Sequence, residues 1–362
     1  MNWIKSNLEL SRGATNNLSA MEGLRGFAVF LVFLVHYATL IAPWLESNSS
    51  VESIARTVHA IGNVGVDLFF VLSGYLIYGA LIVKVRPFIK FMVRRIERIY
   101  PTFTVVLLVY IVLSLGFPAE SKIPHDIDKA LYYLLANFFL LPGLFDIRPI
   151  ITVAWSLSYE MLYYLLIPLI VSLLRLHNWP SGRRSVLFFM LGVLLALYFV
   201  LHGGHIRMLM FVFGILLWEA WHGLKLRSPS SMSAFICLFC ALATTQLPGD
   251  GPGFATLRVL LLGAFFFVLC FTCFAQPQGW IARMFSWAPL RWLGNISYSY
   301  YLIHGLMLKF LFMLFDRVWP ADQTVTGLFF VLLLPAFLMT LVPAFGLFAL
   351  IERPFSLKQK GA

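Results

Sequence analysis

The sequence has few charged residues for its length. Aspartate, glutamate, lysine and arginine make up 12% of the 362 residues, and hydrophobic residues make up 60%. Soluble domains carry about 25% charged residues, so this composition predicts an integral membrane protein. The formal net charge of +11 does not indicate a nucleic-acid-binding protein, because no soluble stretch is long enough to form such a domain. We attribute the basic residues to loops that orient helices and meet anionic lipid or an anionic cofactor.

Several catalytic motifs are also absent. The sequence contains no G-x-x-x-x-G-K loop, no G-x-S-x-G elbow and no H-E-x-x-H, so it lacks the usual machinery of an ATP-driven pump or a serine hydrolase. The cysteines form two C-x-x-C pairs, Cys237 with Cys240 and Cys270 with Cys273. Both pairs lie in apolar runs without the polar loop that normally carries zinc ligands. We therefore expect no metal site and interpret the four cysteines as packing residues.

Long apolar runs dominate what is present. Their lengths match the ~30 Å hydrocarbon core of a bilayer and predict about ten transmembrane helices in one all-α domain over residues 1–362. The first run is too long for a signal-peptide core, so we expect it to be retained. The predicted spans lie near residues 21–41, 66–83, 101–116, 156–174, 185–201, 207–222, 232–247, 257–274, 296–315 and 326–351.

One further apolar run, residues 130–144, could be an eleventh span, and charge decides against it. If it spanned, the basic stretches 175–184, 283–291 and 353–360 would all move outside. If it does not, 19 of the 27 lysines and arginines lie on the cytoplasmic side, as the positive-inside rule requires. We therefore predict that both termini are cytoplasmic and that 130–144 is a non-spanning segment on the outer side.

The first span carries Arg25 near one end and His36 well inside. Such residues are costly within a membrane and indicate a functional site. Eleven residues turn a helix about 20° beyond three full turns and rise about 16 Å. Both side chains should therefore lie on one face. His36 is a candidate general base. The alternative is a structural histidine that packs between helices and is bonded to a neighbouring carbonyl or hydroxyl.

A second basic group, Arg95 and Arg98, lies one helical turn apart just before the third span. A positive-inside anchor explains the number of basic residues from Lys84 to Arg98 but not the position of these two, whose spacing would suit a pair that clamps phosphates. With Arg25 they would form a basic mouth on the cytoplasmic side.

Polar residues in other spans complete the candidate site. Asp67 lies at the depth expected for His36 and would either orient the imidazole or cap its helix. Glu160 indicates a polar cavity open to the outer face, where it would bind an acceptor hydroxyl or support His36. Candidate substrate-binding residues come from three motifs, GVDLFFVLSGYLI, WSLSYEMLYYL and LGNISYSYYLIHG: Ser73, Tyr75, Trp155, Ser156, Tyr298 and His304.

Taken together, these motifs resemble the acyltransferase family 3 membrane proteins. The matching stretches are MEGLRGFAVFLVFLVH, GVDLFFVLSGYLI, RRIERIYP, WSLSYEMLYYLLIPL and LGNISYSYYLIH, in the family's order. The family's arginine-x10-histidine pattern falls on Arg25 and His36, and its arginine-x-x-arginine pattern falls on Arg95 and Arg98. Some relatives follow the histidine with an acid, whereas Tyr37 follows it here. An adjacent carboxylate would then have to come from elsewhere, such as Asp67 or Glu160.

The resemblance implies a ten-helix core in the bacterial cytoplasmic membrane, and transfer of an acyl group to a saccharide hydroxyl at the outer face. The acyl group is usually acetyl, and its donor is cytoplasmic acetyl-coenzyme A. The extracytoplasmic hydrolase-like domain that many members append is not expected here. Arg25, Arg95 and Arg98 would hold the coenzyme's phosphates, and His36 would deprotonate the hydroxyl or carry the acyl group itself. The alternative is a non-enzymatic transporter of an acyl donor or a lipid-linked saccharide, which would use the same polar core.

Overall fold

The computed structural model describes residues 17–321 and 324–357, and within these ranges the chain is all-α, without a β-sheet. Helices satisfy their own backbone hydrogen bonds, which lipid cannot do. Both predicted cytoplasmic ends, 1–16 and 358–362, lie outside the described residues. The described residues form fourteen α-helices, in order: α1 Asn17–Ile41, α2 Ser50–Gly62, α3 Val64–Ile82, α4 Phe88–Gly116, α5 Ile127–Phe138, α6 Trp155–Leu173, α7 Ser181–His202, α8 Leu209–Trp218, α9 Ser231–Thr244, α10 Gly251–Ala275, α11 Trp280–Phe285, α12 Ala288–Asn295, α13 Ser297–Val318 and α14 Leu328–Leu347.

Within the described part of the chain, nine helical segments are long and apolar enough to cross a membrane. They coincide with nine of the ten predicted spans, and the majority of their ends differ from the predicted ends by only a few residues. The predicted all-α membrane fold is confirmed. The remaining prediction, 232–247, falls on α9, which has only 14 residues. At 1.5 Å per residue that helix is about 21 Å long, which is shorter than the hydrocarbon core.

The ambiguous run at 130–144 forms α5 and a turn rather than a span. Helix α5 has 12 residues, and its end is fixed by Asn137, whose side chain accepts a hydrogen bond from the Ile150 amide at 2.8 Å. Apolar residues such as Ile127 and Tyr132 remain exposed on its other face. A short helix with one apolar face exposed fits the non-spanning segment that charge distribution predicts.

Helix α1 lies at the centre of the fold, in contact with α2, α3, α12 and α13. Its closest neighbour is α12, because glycines on both helices let the backbones touch. A methyl group added to Gly26 would lie 1.9 Å from the Leu290 carbonyl oxygen, and one added to Gly294 would lie 1.7 Å from that of Glu22. Small residues at such crossings allow close van der Waals packing in membranes. These contacts fix where α1 places its polar residues.

Helix α8 continues into a π-helix, Glu219–Gly223, that turns a glutamate inward. Glu219 is fully buried and accepts hydrogen bonds from Arg184 Nε at 2.6 Å and Ser181 Oγ at 2.5 Å, and from the Tyr78 hydroxyl. This network ties α3, α7 and α8 together at the end that is predicted to be cytoplasmic.

The contact between α1 and α12 predicts different results from two glycine substitutions. Gly294→Ala should lower the melting temperature of the purified protein by several degrees, because the added methyl group collides with backbone rather than with a movable side chain. Gly305→Ala is the control, since nothing lies within 4 Å of its added methyl group and alanine favours a helix by about 0.5–1 kcal/mol. Equal melting temperatures for the two variants would contradict the packing described.

Candidate active site

Two cavities lie along α1, one at Arg25 and one at His36. The smaller, here called the arginine cavity, has a volume of about 150 Å³, and the larger, the histidine cavity, about 600 Å³. The histidine cavity is lined by His36 and by residues of α4, α13 and the loop after α4. The arginine cavity includes seven of the predicted site residues in its lining: Arg25, Ser73, Arg95, Arg98, Ser156, Glu160 and Tyr298.

The arginines of the arginine cavity come from two helices. Arg25 donates a hydrogen bond from Nη2 to Ser297 Oγ at 3.0 Å, which joins α1 to the start of α13. On α4, the guanidinium carbon of Arg95 lies 5.0 Å from the ring centre of Phe91 and 5.2 Å from that of Tyr164. Aromatic faces stabilise such a cation without neutralising its charge. The predicted basic mouth is therefore a real cluster, although its side chains are held inside the helix bundle.

Glu160 lies in the arginine cavity, and this position differs from the prediction. Its Oε1 accepts hydrogen bonds from Tyr164 at 2.6 Å and Ser73 at 3.3 Å. We expected this carboxylate in a cavity open to the outer face, where it would support His36. Instead it shares a lining with three arginines, so the cavity holds three fixed positive charges and one negative charge.

A residue that sequence reasoning missed, Glu352, holds Arg98 in place. After α14 the chain forms a π-helix, Phe348–Ser356, and Glu352 within it is fully buried. Its Oε1 lies 2.8 Å from Arg98 Nη1, and its Oε2 accepts hydrogen bonds from the Ser299 amide at 3.1 Å and hydroxyl at 2.6 Å. The angle at Arg98 is outside hydrogen-bond geometry, so that contact is mainly electrostatic. Unpaired amides at a helix start favour a carboxylate.

Tyr298 and Ser156 line the arginine cavity, but their hydroxyls already have protein partners. The Tyr298 hydroxyl donates to the Ile99 carbonyl at 2.7 Å, and its ring lies 5.7 Å from the Arg98 guanidinium carbon. Ser156 Oγ lies 2.7 Å from the Tyr301 hydroxyl. Both residues therefore shape the wall of the cavity.

His36 lines the histidine cavity and packs behind its wall against His304, with 5.1 Å between the two ring centres. His304 is fully buried, and its Nδ1 lies 2.9 Å from the Tyr300 carbonyl oxygen and 3.0 Å from that of Tyr301. Carbonyls only accept hydrogen bonds, so Nδ1 carries the proton and Nε2 of the neutral ring keeps its lone pair. Nε2 is buried without a hydrogen-bond partner among the described residues. His36 therefore has a neighbouring imidazole of fixed tautomer.

Three predicted site residues lie elsewhere. Asp67 faces Arg207, with 3.7 Å between Oδ1 and Nε, and does not sit beside His36 as we expected. Trp155 packs against the same arginine, whose guanidinium carbon is 5.5 Å from its ring centre. Tyr75 points away from Ser73, and its hydroxyl lies 3.0 Å from His222 Nε2. None of the three lines either cavity.

Within the described residues, no group of three or more histidine, cysteine, aspartate or glutamate side chains is arranged to hold a metal ion. The cysteines are free thiols, with Cys270 and Cys273 buried and Cys237 and Cys240 partly buried. Helix α1 thus borders a cationic cavity with Arg25, and further along it places His36 beside His304 of α13. The positive charges suit an anionic ligand, and the imidazoles suit proton transfer.

A transmembrane helix bundle with this polar core is the class that the fold and the two cavities define. Residues 18–348 match the model of the family described as "Acyltransferase domain". The chain belongs to this family, which confirms the resemblance noted from its motifs.

Among curated relatives, the chain is 27% identical over 333 residues to the O-acetyltransferase OatA of Staphylococcus aureus strain NCTC 8325, which covers 81% of this chain and 51% of that protein. It is 25% identical over 328 residues to the peptidoglycan O-acetyltransferase OatA of Listeria monocytogenes, covering 81% of this chain and 50% of that protein. The chain thus spans about half the length of the curated relatives it matches. No solved structure matches it significantly.

The role of Glu352 can be tested by stability. Glu352→Ala leaves Arg98 and the Ser299 amide without their buried acceptor, and breaking a buried pair in this way costs about 3–5 kcal/mol. We expect a clearly lower melting temperature in detergent, and no change for Glu46→Ala, whose carboxylate is exposed. A Glu352→Ala variant that melts like the unmodified protein would contradict the assignment.

Proposed function

We propose that this protein is a membrane-bound O-acetyltransferase that moves an acetyl group from cytoplasmic acetyl-coenzyme A to a saccharide hydroxyl at the outer face of the bacterial cytoplasmic membrane. One observation carries the proposal. A single helix of an acyltransferase-family bundle lines an arginine-rich cavity with Arg25 and a second cavity with His36. Donor binding and acyl transfer would then take place at two points on the same helix.

The donor is supported by the charge of the arginine cavity. Coenzyme A carries phosphates, and Arg25, Arg95 and Arg98 outnumber the two carboxylates beside them, Glu160 in the lining and Glu352, which is paired with Arg98. Guanidinium groups bind phosphate oxygens with strong charge-assisted hydrogen bonds. The volume of about 150 Å³ is below the ~300–1,000 Å³ of typical small-molecule sites, so this cavity would hold only part of the donor. The rest would extend beyond it.

The distance along α1 suits the donor's thioester arm. Arg25 and His36 are separated by a rise of about 16 Å, and an extended pantetheine arm has a length on the order of 15–20 Å. Phosphates held by the arginines would therefore allow the thioester to approach His36. In this arrangement the length of α1 between Arg25 and His36 sets the distance between the two binding regions.

In the reaction, the acceptor oxygen forms a bond to the acetyl carbonyl carbon, and the bond from that carbon to the coenzyme's sulfur breaks. His36 takes the proton from the attacking hydroxyl and returns it to the departing thiolate, so atoms and charge balance. We assign His304 a positioning role, because its ring packs edge to face against that of His36, with 5.1 Å between the ring centres. Packing of this kind limits the orientations that a catalytic side chain can adopt.

The acceptor is supported by the relatives and by the larger cavity. The Listeria relative is named a peptidoglycan O-acetyltransferase, and peptidoglycan is a glycan. This name supports a glycan as the acceptor of this chain. The histidine cavity has a volume of about 600 Å³, which lies within the range of sites that hold small organic ligands. A saccharide or lipid-linked glycan would enter this cavity from the membrane. The other expected partners are membrane lipids, and we expect no nucleic acid.

The role of His36 is tested by His36→Ala. We expect transfer of labelled acetyl from acetyl-coenzyme A to surface glycan to fall by at least 100-fold, because general base catalysis contributes about 10²–10⁴-fold. His202→Ala is the matched control, since His202 is exposed on α7 and should leave the rate unchanged. Melting temperatures should show that both variants fold. A folded, fully active His36→Ala protein would overturn the assignment.

The donor site is tested by neutralising adjacent arginines of α4. Arg95→Gln should raise KM for acetyl-coenzyme A by about tenfold or more, since one charged hydrogen bond contributes about 1.5–3 kcal/mol. Arg94→Gln should leave KM unchanged because Arg94 is exposed and outside the cavity lining. Coenzyme A binding without turnover on any glycan would instead favour the transporter, and absence of coenzyme A binding would contradict both functions.

A further inference from the structure

The wall of the histidine cavity carries more positive than negative charge. Lys122, Lys309 and Arg317 line it together with a single carboxylate, that of Glu120. Glu120 is already paired with Lys309 in an exposed salt bridge. The proposed function assigns this cavity to the acceptor, yet a neutral sugar gives no reason for these cations.

Lys122 is the most informative of the three, because its hydrogen bonds satisfy its protons without balancing its charge. Its Nζ donates to the carbonyl oxygens of Pro149 at 3.0 Å and Ile150 at 3.2 Å, and to Thr152 Oγ1 at 3.0 Å. All three acceptors are neutral. The ammonium group is thus held in a fixed position at the cavity wall, half-buried, with no carboxylate bonded to it among the described residues.

Other positive charges surround Lys122 rather than relieve it. Burial, and then repulsion from Arg148 and Lys309, lowers the pKa of Lys122 to about 8. Burial and repulsion thus disfavour the charged form of the Lys122 side chain. A bound anion would stabilise this charged form. Positive charge is therefore concentrated at this wall.

The depth of these cations separates them from the arginine cavity. Helix α13 runs alongside α1, because Ser297 contacts Arg25 near the start of both helices and His304 contacts His36 further along. Lys309 lies five residues beyond His304 on α13, which is about 7.5 Å further from the arginines. An anion at Lys122 and Lys309 would thus lie on the far side of His36 from the donor's phosphates.

We infer that the acceptor is an anionic saccharide whose carboxylate or phosphate is attracted by the positive charges of Lys122 and Lys309 while a hydroxyl of the same molecule is presented to His36. This inference rests on the proposed function and specifies the acceptor's charge. The two lysines act in binding and orientation, and the proton transfer stays with His36.

Steady-state kinetics of the full chain in phosphatidylcholine nanodiscs test the inference, with acetyl-coenzyme A as donor and surface glycan extracted from a deletion strain as acceptor. Lys122→Gln and Lys309→Gln should each raise KM for the glycan about tenfold, leaving kcat and KM for acetyl-coenzyme A within twofold. Lys122→Arg should retain the low KM, and Lys129→Gln, at an exposed site on α5, should match the unmodified protein. Unchanged glycan KM in both glutamine variants would overturn the inference while leaving the proposed function intact.

Two further arms identify the anion. Converting the glycan's carboxylates to methylamides should raise KM as the Lys122→Gln substitution does if the group is a carboxylate, and should have no effect if it is a phosphate. Since Lys122 loses its proton above a pH of about 8, glycan KM should rise between pH 7 and 9 in the unmodified protein but not in Lys122→Arg. If phosphatidylglycerol competed with the glycan and the lysine variants removed only this competition, Lys122 and Lys309 would form a lipid-binding site rather than an acceptor site. No transfer by the unmodified protein would overturn both proposals.

Discussion

The structure depends on keeping arginines charged inside a membrane. A charged side chain in the hydrocarbon core is costly unless it is paired or placed at a polar cavity, and three arginines line one small cavity here. Each is held differently. Arg25 is hydrogen-bonded to Ser297, Arg95 lies near two aromatic rings, and Arg98 is paired with Glu352. The helices that supply these partners, α4, α6, α13 and the π-helix after α14, must therefore pack where they do.

The second requirement is a fixed path for α1, and the glycine contacts provide it. Gly26 and Gly294 bring α1 and α12 into backbone contact, so α1 cannot rotate without a clash. The Arg25–Ser297 and His36–His304 contacts then align α1 with α13 at two depths. Because of this alignment, one helix presents Arg25 to one cavity and His36 to another.

Much of this organisation could be predicted from the sequence, because it follows from local periodicity and composition. Eleven residues bring Arg25 and His36 to one helix face, and a three-residue spacing does the same for Arg95 and Arg98. The same geometry also explains an error. Ser73 and Tyr75 are two residues apart, so their directions around the helix differ by about 160° and they cannot share a cavity. Asp67, six residues before Ser73, faces another side of α3, where Arg207 lies, and not His36 as its expected depth predicts.

Glu352 could not be predicted from spacing, since it is 254 residues from Arg98 and reaches it only through the packing of the last helix. It shares a feature with Glu219: both sit in π-helices, both are fully buried, and both face an arginine. A π-helix arises when an extra residue is accommodated in an α-helix. Loss of one residue from either segment would restore α-helical spacing and rotate the following side chains by about 100°. The registration of these buried ion pairs is therefore sensitive to single-residue insertions and deletions, even where every charged residue is retained.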